Sequence, residues 1–81
     1  MELKKELDKY ITSSPEILGG TSVFRNTRVP VKILFDYLRN GENIDEFLDN
    51  YPTVNPSFVS KIIEKIALHL TQLETNNETA A

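Results

Sequence analysis

The chain has 81 residues, of which 40% are hydrophobic and 26% charged, a composition typical of one small globular domain. It contains no cysteine, which excludes a disulfide framework, a thiol nucleophile and a thiolate metal site. No apolar run reaches the length of a membrane span and the N-terminus has no hydrophobic signal core, so we expect a cytoplasmic protein with no membrane contact. The net charge of -3 argues against strong non-specific binding to nucleic acid.

Charge is distributed unevenly along the chain. Residues 21–39 carry four basic residues against one acidic residue, a net charge of +3, whereas residues 42–51 carry four acidic residues and no basic one, a net charge of -4. The basic residues of the first segment are Arg25, Arg28, Lys32 and Arg39. This pattern predicts a protein with two oppositely charged faces, although solvated helix surfaces also produce such runs.

The N-terminal third is expected to form only short elements. Residues 1–9 have leucines at helical spacing and predict a short helix or arm. The strand formers of residues 10–12 could pair with a later strand. Residues 22–30 predict a small hairpin or an extended arm around Asn26, because asparagine tolerates the positive φ of a tight turn. A lone hairpin is barely stable in water, so it must pack on the helices or on a second copy of the chain.

Residues 31–39, VKILFDYLR, predict a helix that ends at Asn40-Gly41, with glycine in the usual left-handed cap position. Six of its nine residues are apolar and they lie almost all the way round the helix. A helix that is apolar on every side is expected to be covered on every side, and one neighbour in so small a chain cannot cover it. We therefore expect a homodimer with part of this helix or the hairpin in its interface.

Two further helices are predicted at residues 44–50 and 55–72. The first begins with a capping-box pair, Asn43 and Glu46, and the second with Asn55 as N-cap and proline at the first helical position. Pro52 interrupts the chain between them. Val54 and Val59 stand at the two positions of a hydrophobic staple.

The last helix carries one apolar stripe with spacings of three and four residues. Its members are Phe58, Val59, Ile62, Ile63, Ile66, Ala67, Leu70 and Leu73. Residues 74–81 have no such period, so we expect a flexible tail.

The predicted fold is mainly α: a three-helix, homeodomain-like helix-turn-helix bundle over residues 10–73, with a short N-terminal β or extended segment. The same outline also fits any small helical bundle. The expected core residues are Val31, Leu34, Phe35, Leu38, Ile44, Phe47, Leu48, Tyr51, Phe58, Ile62, Ile63 and Ile66.

No residue pattern indicates catalysis. Asp45 and Asp49 are four residues apart, but they fall on the polar face of a short helix with nothing to desolvate them. His69 is the single histidine and has no obvious partner ligand for a metal. Gly19-Gly20 lacks the further glycines and the lysine of a phosphate loop. We expect no enzyme activity, no cofactor, no metal and no small-molecule substrate.

If the last helix enters a DNA groove, its outward residues near the N-terminus would contact bases and phosphates. These are Ser57, Ser60, Lys61 and, one turn later, Lys65. Arg25, Arg28 and Lys32 of the basic segment are further candidates for phosphate or minor-groove contacts. The alternative for the helix is a plain solvated face. The alternative for the two arginines is ion pairing with Asp45, Glu46 or Asp49, within the chain or across a dimer.

A distinctive string runs from residue 10 to residue 31: Tyr10-Ile11, Pro15-Glu16-Ile17-Leu18-Gly19-Gly20-Thr21, Val23-Phe24-Arg25 and Thr27-Arg28-Val29-Pro30-Val31. With Gly41, Asp45-Glu46-Phe47-Leu48 and Tyr51-Pro52, it resembles the family catalogued as domain of unknown function 433, over about residues 10–70. Ser22 and Asn26 depart from its pattern, where proline and glycine are common.

The resemblance implies a small helix-turn-helix protein of the antitoxin type, encoded beside a nuclease-like toxin that it binds and blocks. On that basis we expect a dimeric DNA-binding regulator. The alternative is a protein-interaction module of the same shape that never touches DNA. In either version Asp45, Glu46 and Asp49 are the expected contacts for a basic protein partner.

Overall fold

The computed structural model describes residues 2–78, and the side chains that it describes are those of residues 3–72. The elements are α1 (Glu2–Leu7), β1 (Ile11–Thr12), a 3-10 turn (Leu18–Gly20), β2 (Val23–Phe24), α2 (Val31–Arg39), α3 (Ile44–Asn50) and α4 (Pro56–Glu78). The chain is thus mainly helical, with a small two-stranded antiparallel sheet. Among residues 2–78, no helix combines the length and the apolarity needed to cross a membrane.

The sheet joins the start of the chain to the hairpin. Strand β1 pairs antiparallel with β2, with Ile11 opposite Phe24, so residues 10–12 find the later strand that their composition suggests. On the other side of β2, the chain turns back at residues 24–29, which we call the hairpin turn. The Phe24 N–H donates to the Val29 carbonyl at 3.0 Å, and Asn26 has the positive φ, 68°, that such a turn requires.

Helices α2 and α3 have the bounds that the sequence predicts, because local signals fix their ends. Gly41 follows α2 with φ of 83°, and its N–H donates to the Leu38 carbonyl at 3.1 Å. The capping box at the start of α3 is complete. Asn43 Oδ1 accepts from the Glu46 N–H at 2.8 Å, and Glu46 Oε1 accepts from the Asn43 N–H at 3.4 Å.

Helix α4 begins at Pro56 and runs for 23 residues, six beyond the predicted end at residue 72. Residues 74–78, which the sequence assigns to a flexible tail, are helical in the structure as the last part of α4, and their flexibility stays a prediction. No glycine or proline stands between Leu73 and Glu78 to end the helix, so it continues past its apolar stripe. Residues 79–81 of the predicted tail lie outside the described part.

The core is built from β2, the three helices α2, α3 and α4, and the turn that precedes α4. Its buried members are Val23, Phe24, Leu34, Phe47, Val54, Val59 and Ile62. The Phe47 ring lies at its centre, with ring centroids of Phe24 at 5.7 Å, Tyr37 at 5.6 Å and Tyr51 at 5.3 Å. The hairpin is therefore held by the helices, through Phe24, as its low intrinsic stability demands.

Most of the predicted core packs together as expected. Leu34, Phe47 and Ile62 are completely buried, and most of the others are half-buried against the cluster. Leu38, one turn after Leu34 in the last turn of α2, is the exception at 37% exposed. Within one chain, α2 is covered mainly on one side, since Leu34 is its one buried residue, and the expected coverage by a second copy of the chain stays a prediction.

Helix α1 lies antiparallel along one side of α4. The Tyr10 ring, just after α1, meets the Phe58 ring edge-on at 5.4 Å between centroids. Further along, the Glu6 carboxylate pairs with the Lys65 ammonium at 3.4 Å. Leu3 then shares a shallow cleft with Leu68.

Candidate nucleic-acid interface

The two arginines of the hairpin turn are both exposed. Arg25 Nε donates to the main-chain carbonyl of Asp8 at 2.6 Å, which fixes the guanidinium without neutralising it. Among the described side chains, neither Arg25 nor Arg28 lies within ion-pair distance of a carboxylate. Between them, the Thr27 hydroxyl donates to the Phe24 carbonyl at 2.9 Å and accepts from the Val29 N–H at 3.0 Å. The turn thus presents two uncompensated positive charges on a hydrogen-bonded backbone.

Tyr10 connects the hairpin turn to the beginning of α4. Its carbonyl accepts a hydrogen bond from the Arg25 N–H at 2.9 Å, and its ring contacts Phe58 in the first turn of α4. The hairpin turn and the N-terminal turn of α4 therefore lie at the same end of the molecule. The sequence suggested both segments as DNA contacts without indicating that they are neighbours.

The first turns of α4 present a polar face at this end. Ser57, Ser60 and Lys61 are exposed. Asn55 caps the helix, because its Oδ1 accepts from the Ser57 N–H at 2.9 Å. Lys61 approaches Glu64 at 3.5 Å, with both side chains about half exposed, so this pair leaves Lys61 available to a ligand.

Two other predicted contacts are bound within the chain. The Lys65 side chain is only 27% exposed and pairs with Glu6 of α1, so its charge is already partly neutralised within the chain. Lys32 pairs with Asp36 at 2.8 Å on α2. The hydrogen bond from Lys32 lowers the pKa of the Asp36 carboxyl below its ordinary value. Desolvation opposes this shift, and the charges of Lys32 and Arg39 add to it.

Lys9 is a basic residue that sequence reasoning missed. It is exposed and directly precedes Tyr10, the residue that connects the hairpin turn to α4. Its alternation with acidic residues in the N-terminal segment reads as an ordinary solvated surface, so the sequence contains no clear signal for it.

The acidic residues of α3 form a separate surface. Asp45, Glu46 and Asp49 are all exposed, and Glu46 also closes the capping box. Within the described side chains none of the three pairs with Arg25 or Arg28, so the ion pairs considered as an alternative are absent inside the chain.

Comparison with known proteins identifies the family. The family model DUF433, described as protein of unknown function, matches residues 11–64. Uncharacterized protein y4eO of Sinorhizobium fredii (strain NBRC 101917 / NGR234) is 38% identical over 68 residues, which are 84% of this chain and 28% of that protein. The chain thus spans little more than a quarter of that relative's length. A crystal structure of a DUF433 member protein from Anabaena variabilis ATCC 29413 is similar with a TM-score of 0.61 and 28% identity, covering 93% of this chain and 74% of that one. The chain belongs to the DUF433 family.

Proposed function

We propose that the protein is a small DNA-binding transcriptional regulator that acts as a dimer in the cytoplasm and has no catalytic activity. In this proposal α2, α3 and α4 form a homeodomain-like helix-turn-helix unit and α4 is the recognition helix. The observation that carries the proposal is the link through Tyr10, which brings Arg25 and Arg28 to the same end of the molecule as the polar start of α4.

Each part of this surface has a distinct role. Arg25 and Arg28 bind phosphates or enter the minor groove, because they are exposed and carry no carboxylate partner among the described side chains. Ser57, Ser60 and Lys61 meet base edges and phosphates from the start of α4. Lys32 and Lys65 contribute less, since each already holds a carboxylate. So few phosphate contacts per chain make binding weak and strongly salt-dependent, and a dimer doubles them.

The resemblance to antitoxin-type proteins extends this proposal to a protein partner. In this extension the regulator also blocks a nuclease-like toxin, whose basic surface docks on α3. Asp45 and Asp49 support this role because they are exposed, four residues apart on one helix and without a basic partner among the described side chains.

A second candidate function is a protein-interaction module that does not bind DNA. The chain's net charge of -3 favours it, because acidic proteins are repelled by the DNA backbone. Both functions use the α3 surface, and they differ only in the role of the hairpin turn and the start of α4.

A fluorescence-anisotropy titration against the DNA upstream of the protein's own coding sequence, at two salt concentrations, separates the two functions. A regulator binds this DNA more tightly than scrambled DNA and loses affinity as salt rises. Arg28→Gln should weaken binding and lower the slope of log K against log salt by about 0.9 for each phosphate that is no longer neutralised. Arg39→Gln is the matched control, because it removes the same charge from an arginine at the end of α2 that already faces Asp36. Equal binding to both DNAs, or equal weakening in both variants, contradicts the DNA-binding role.

The toxin role is tested with the purified protein encoded by the neighbouring gene. Asp45→Asn combined with Asp49→Asn should weaken its binding in calorimetry. Asp8→Asn combined with Glu16→Gln, which removes the same charge from other exposed positions, should not. Equal affinity of both double variants contradicts docking on α3.

A further inference from the structure

The two arginines of the hairpin turn carry the same charge but are held differently. The Arg25 side chain is anchored, because its Nε donates to the Asp8 carbonyl at 2.6 Å. The Arg28 side chain makes no hydrogen bond and no ion pair with any described residue. Since an unanchored side chain loses conformational freedom when it binds, Arg25 is the better preorganised of the two for a ligand.

The anchor of Arg25 is the end of α1. The Asp8 N–H still donates to the Lys4 carbonyl at 3.1 Å, so Asp8 continues the hydrogen bonding of that helix. The last carbonyls of a helix have no partner within it and carry partial negative charge, which suits a cation. Among the described residues, the Asp8 carbonyl accepts from Arg25 alone. Because the acceptor is a main-chain carbonyl rather than a carboxylate, it orients Arg25 and leaves its charge uncompensated.

One edge of the Arg25 guanidinium remains open. The group is planar, and its N–H donors have fixed directions. Nε is engaged, whereas the two terminal nitrogens, Nη1 and Nη2, donate to no atom in the described part of the chain. Their outer N–H bonds are parallel, which matches two neighbouring oxygens of one phosphate group. A lysine in this position would have the charge without the paired donors.

The main chain of the hairpin turn adds donors of the same kind. The N–H groups of Arg25, Thr27 and Val29 are all bound within the chain. Those of Asn26 and Arg28, both exposed residues, donate to nothing among the described residues. Proteins bind DNA phosphates with main-chain N–H groups as well as with arginine side chains. Guanine also offers two neighbouring acceptors, but two positive charges beside open N–H groups favour an anion over a neutral base edge.

We propose that Arg25 binds a single phosphate of the DNA backbone through its two terminal nitrogens, whereas Arg28 contributes charge without fixed geometry. This inference rests on the proposed function for the identity of the ligand as DNA. It assigns the hairpin turn to the DNA backbone and leaves the reading of bases to the start of α4. It also gives α1 a part in recognition, since the end of this helix orients Arg25.

The first test compares lysine substitutions in the full chain, by fluorescence anisotropy with the upstream duplex and with a scrambled duplex. Arg25→Lys should weaken binding to both duplexes by the same factor, about tenfold, because it removes one of two charge-assisted hydrogen bonds. The dependence of affinity on salt should not change, since the charge is kept. Arg28→Lys should cause a clearly smaller loss, and Arg39→Lys, the matched control on α2, should cause none.

The second test removes the other partner of the contact. Upstream duplexes that carry an uncharged methylphosphonate at one backbone position at a time are titrated with the wild type and with the Arg25 and Arg28 variants. At one position the substitution should weaken the wild type and Arg28→Lys alike, and Arg25→Lys distinctly less, because that variant has already lost part of the contact. A general loss of stability in Arg25→Lys would not produce a result specific to one position.

A loss in Arg25→Lys no greater than in Arg28→Lys, or the same response of all three proteins at every backbone position, would overturn the proposal. So would a loss in Arg25→Lys that is confined to the upstream duplex, because it would indicate contact with a base. The proposed function fails separately, if the wild type binds both duplexes equally, and the lysine variants then still test the phosphate contact on either duplex. No binding to either duplex would overturn both.

Discussion

The two halves of α4, residues 56–66 (the buried half) and residues 67–78 (the projecting half), share one apolar period and have different surroundings. In the buried half, Val59 and Ile62 lie in a cluster with Phe24, Leu34 and Phe47. In the projecting half, Leu70 continues the same stripe and remains 53% exposed. Helical periodicity thus identifies the face of a helix that will be covered. It does not identify the covering surface, which in the buried half is the chain's own core.

The largest expected effect comes from truncating the stripe in each half. Ile62→Ala should destabilise the fold by about 2–5 kcal/mol, because it leaves a cavity where the side chain is fully buried. Leu70→Ala should change the free energy of unfolding by less than about 0.5 kcal/mol when the chain is dilute enough to be monomeric. Urea unfolding of both variants measures the difference. Similar destabilisation in the two would mean that the projecting half packs on the chain's own core.

A smaller effect is expected at the cap that begins the buried half. Asn55→Ala should cost about 1 kcal/mol, since it removes the side-chain acceptor for the Ser57 N–H. Ser60→Ala, an exposed change one turn later, is the matched control and should be nearly neutral. Thermal unfolding of the two variants provides the measurement. Equal midpoints would show that the cap does not hold the start of α4.

The smallest effect is expected at the ion pair between α1 and the end of the buried half. A double-mutant cycle with Glu6→Gln and Lys65→Met should give a coupling energy of about 0.2–1 kcal/mol that decreases as salt rises. The pair Lys61–Glu64 serves for comparison and should couple more weakly, because Lys61 is 50% exposed and Lys65 only 27%. A larger coupling at Lys61 would contradict the placement of α1 on α4.

Much of the fold follows from local signals in the sequence. The capping box at Asn43, the glycine after α2 and the Asn55 cap each specify a helix end by the atoms next to it. The positive φ of Asn26 was likewise predictable from residue type. By contrast, the end of α4 was missed because the chain offers no glycine or proline there to indicate it.

The features that the sequence did not predict depend on tertiary contacts. Phe24 sits in a short strand beside a turn, and nothing local indicates that it fills the core next to Phe47. The sequence pattern places Lys65 on the outward face of a recognition helix, whereas in the structure it pairs with Glu6 of α1. The hairpin turn and the start of α4 lie close together because both contact Tyr10, which comes from a third part of the chain. Such contacts join residues distant in sequence, so periodicity and residue type do not reveal them.

DNA recognition by the hairpin turn and the start of α4 is tested most directly by a map of amide chemical-shift changes along the protein. The upstream DNA is added at fixed protein concentration, and scrambled DNA of the same length is the control. We expect the largest changes at Arg25, Arg28 and residues 57–61, and little change in the projecting half of α4. Changes concentrated on α3, or no difference from scrambled DNA, would contradict recognition of DNA by this surface.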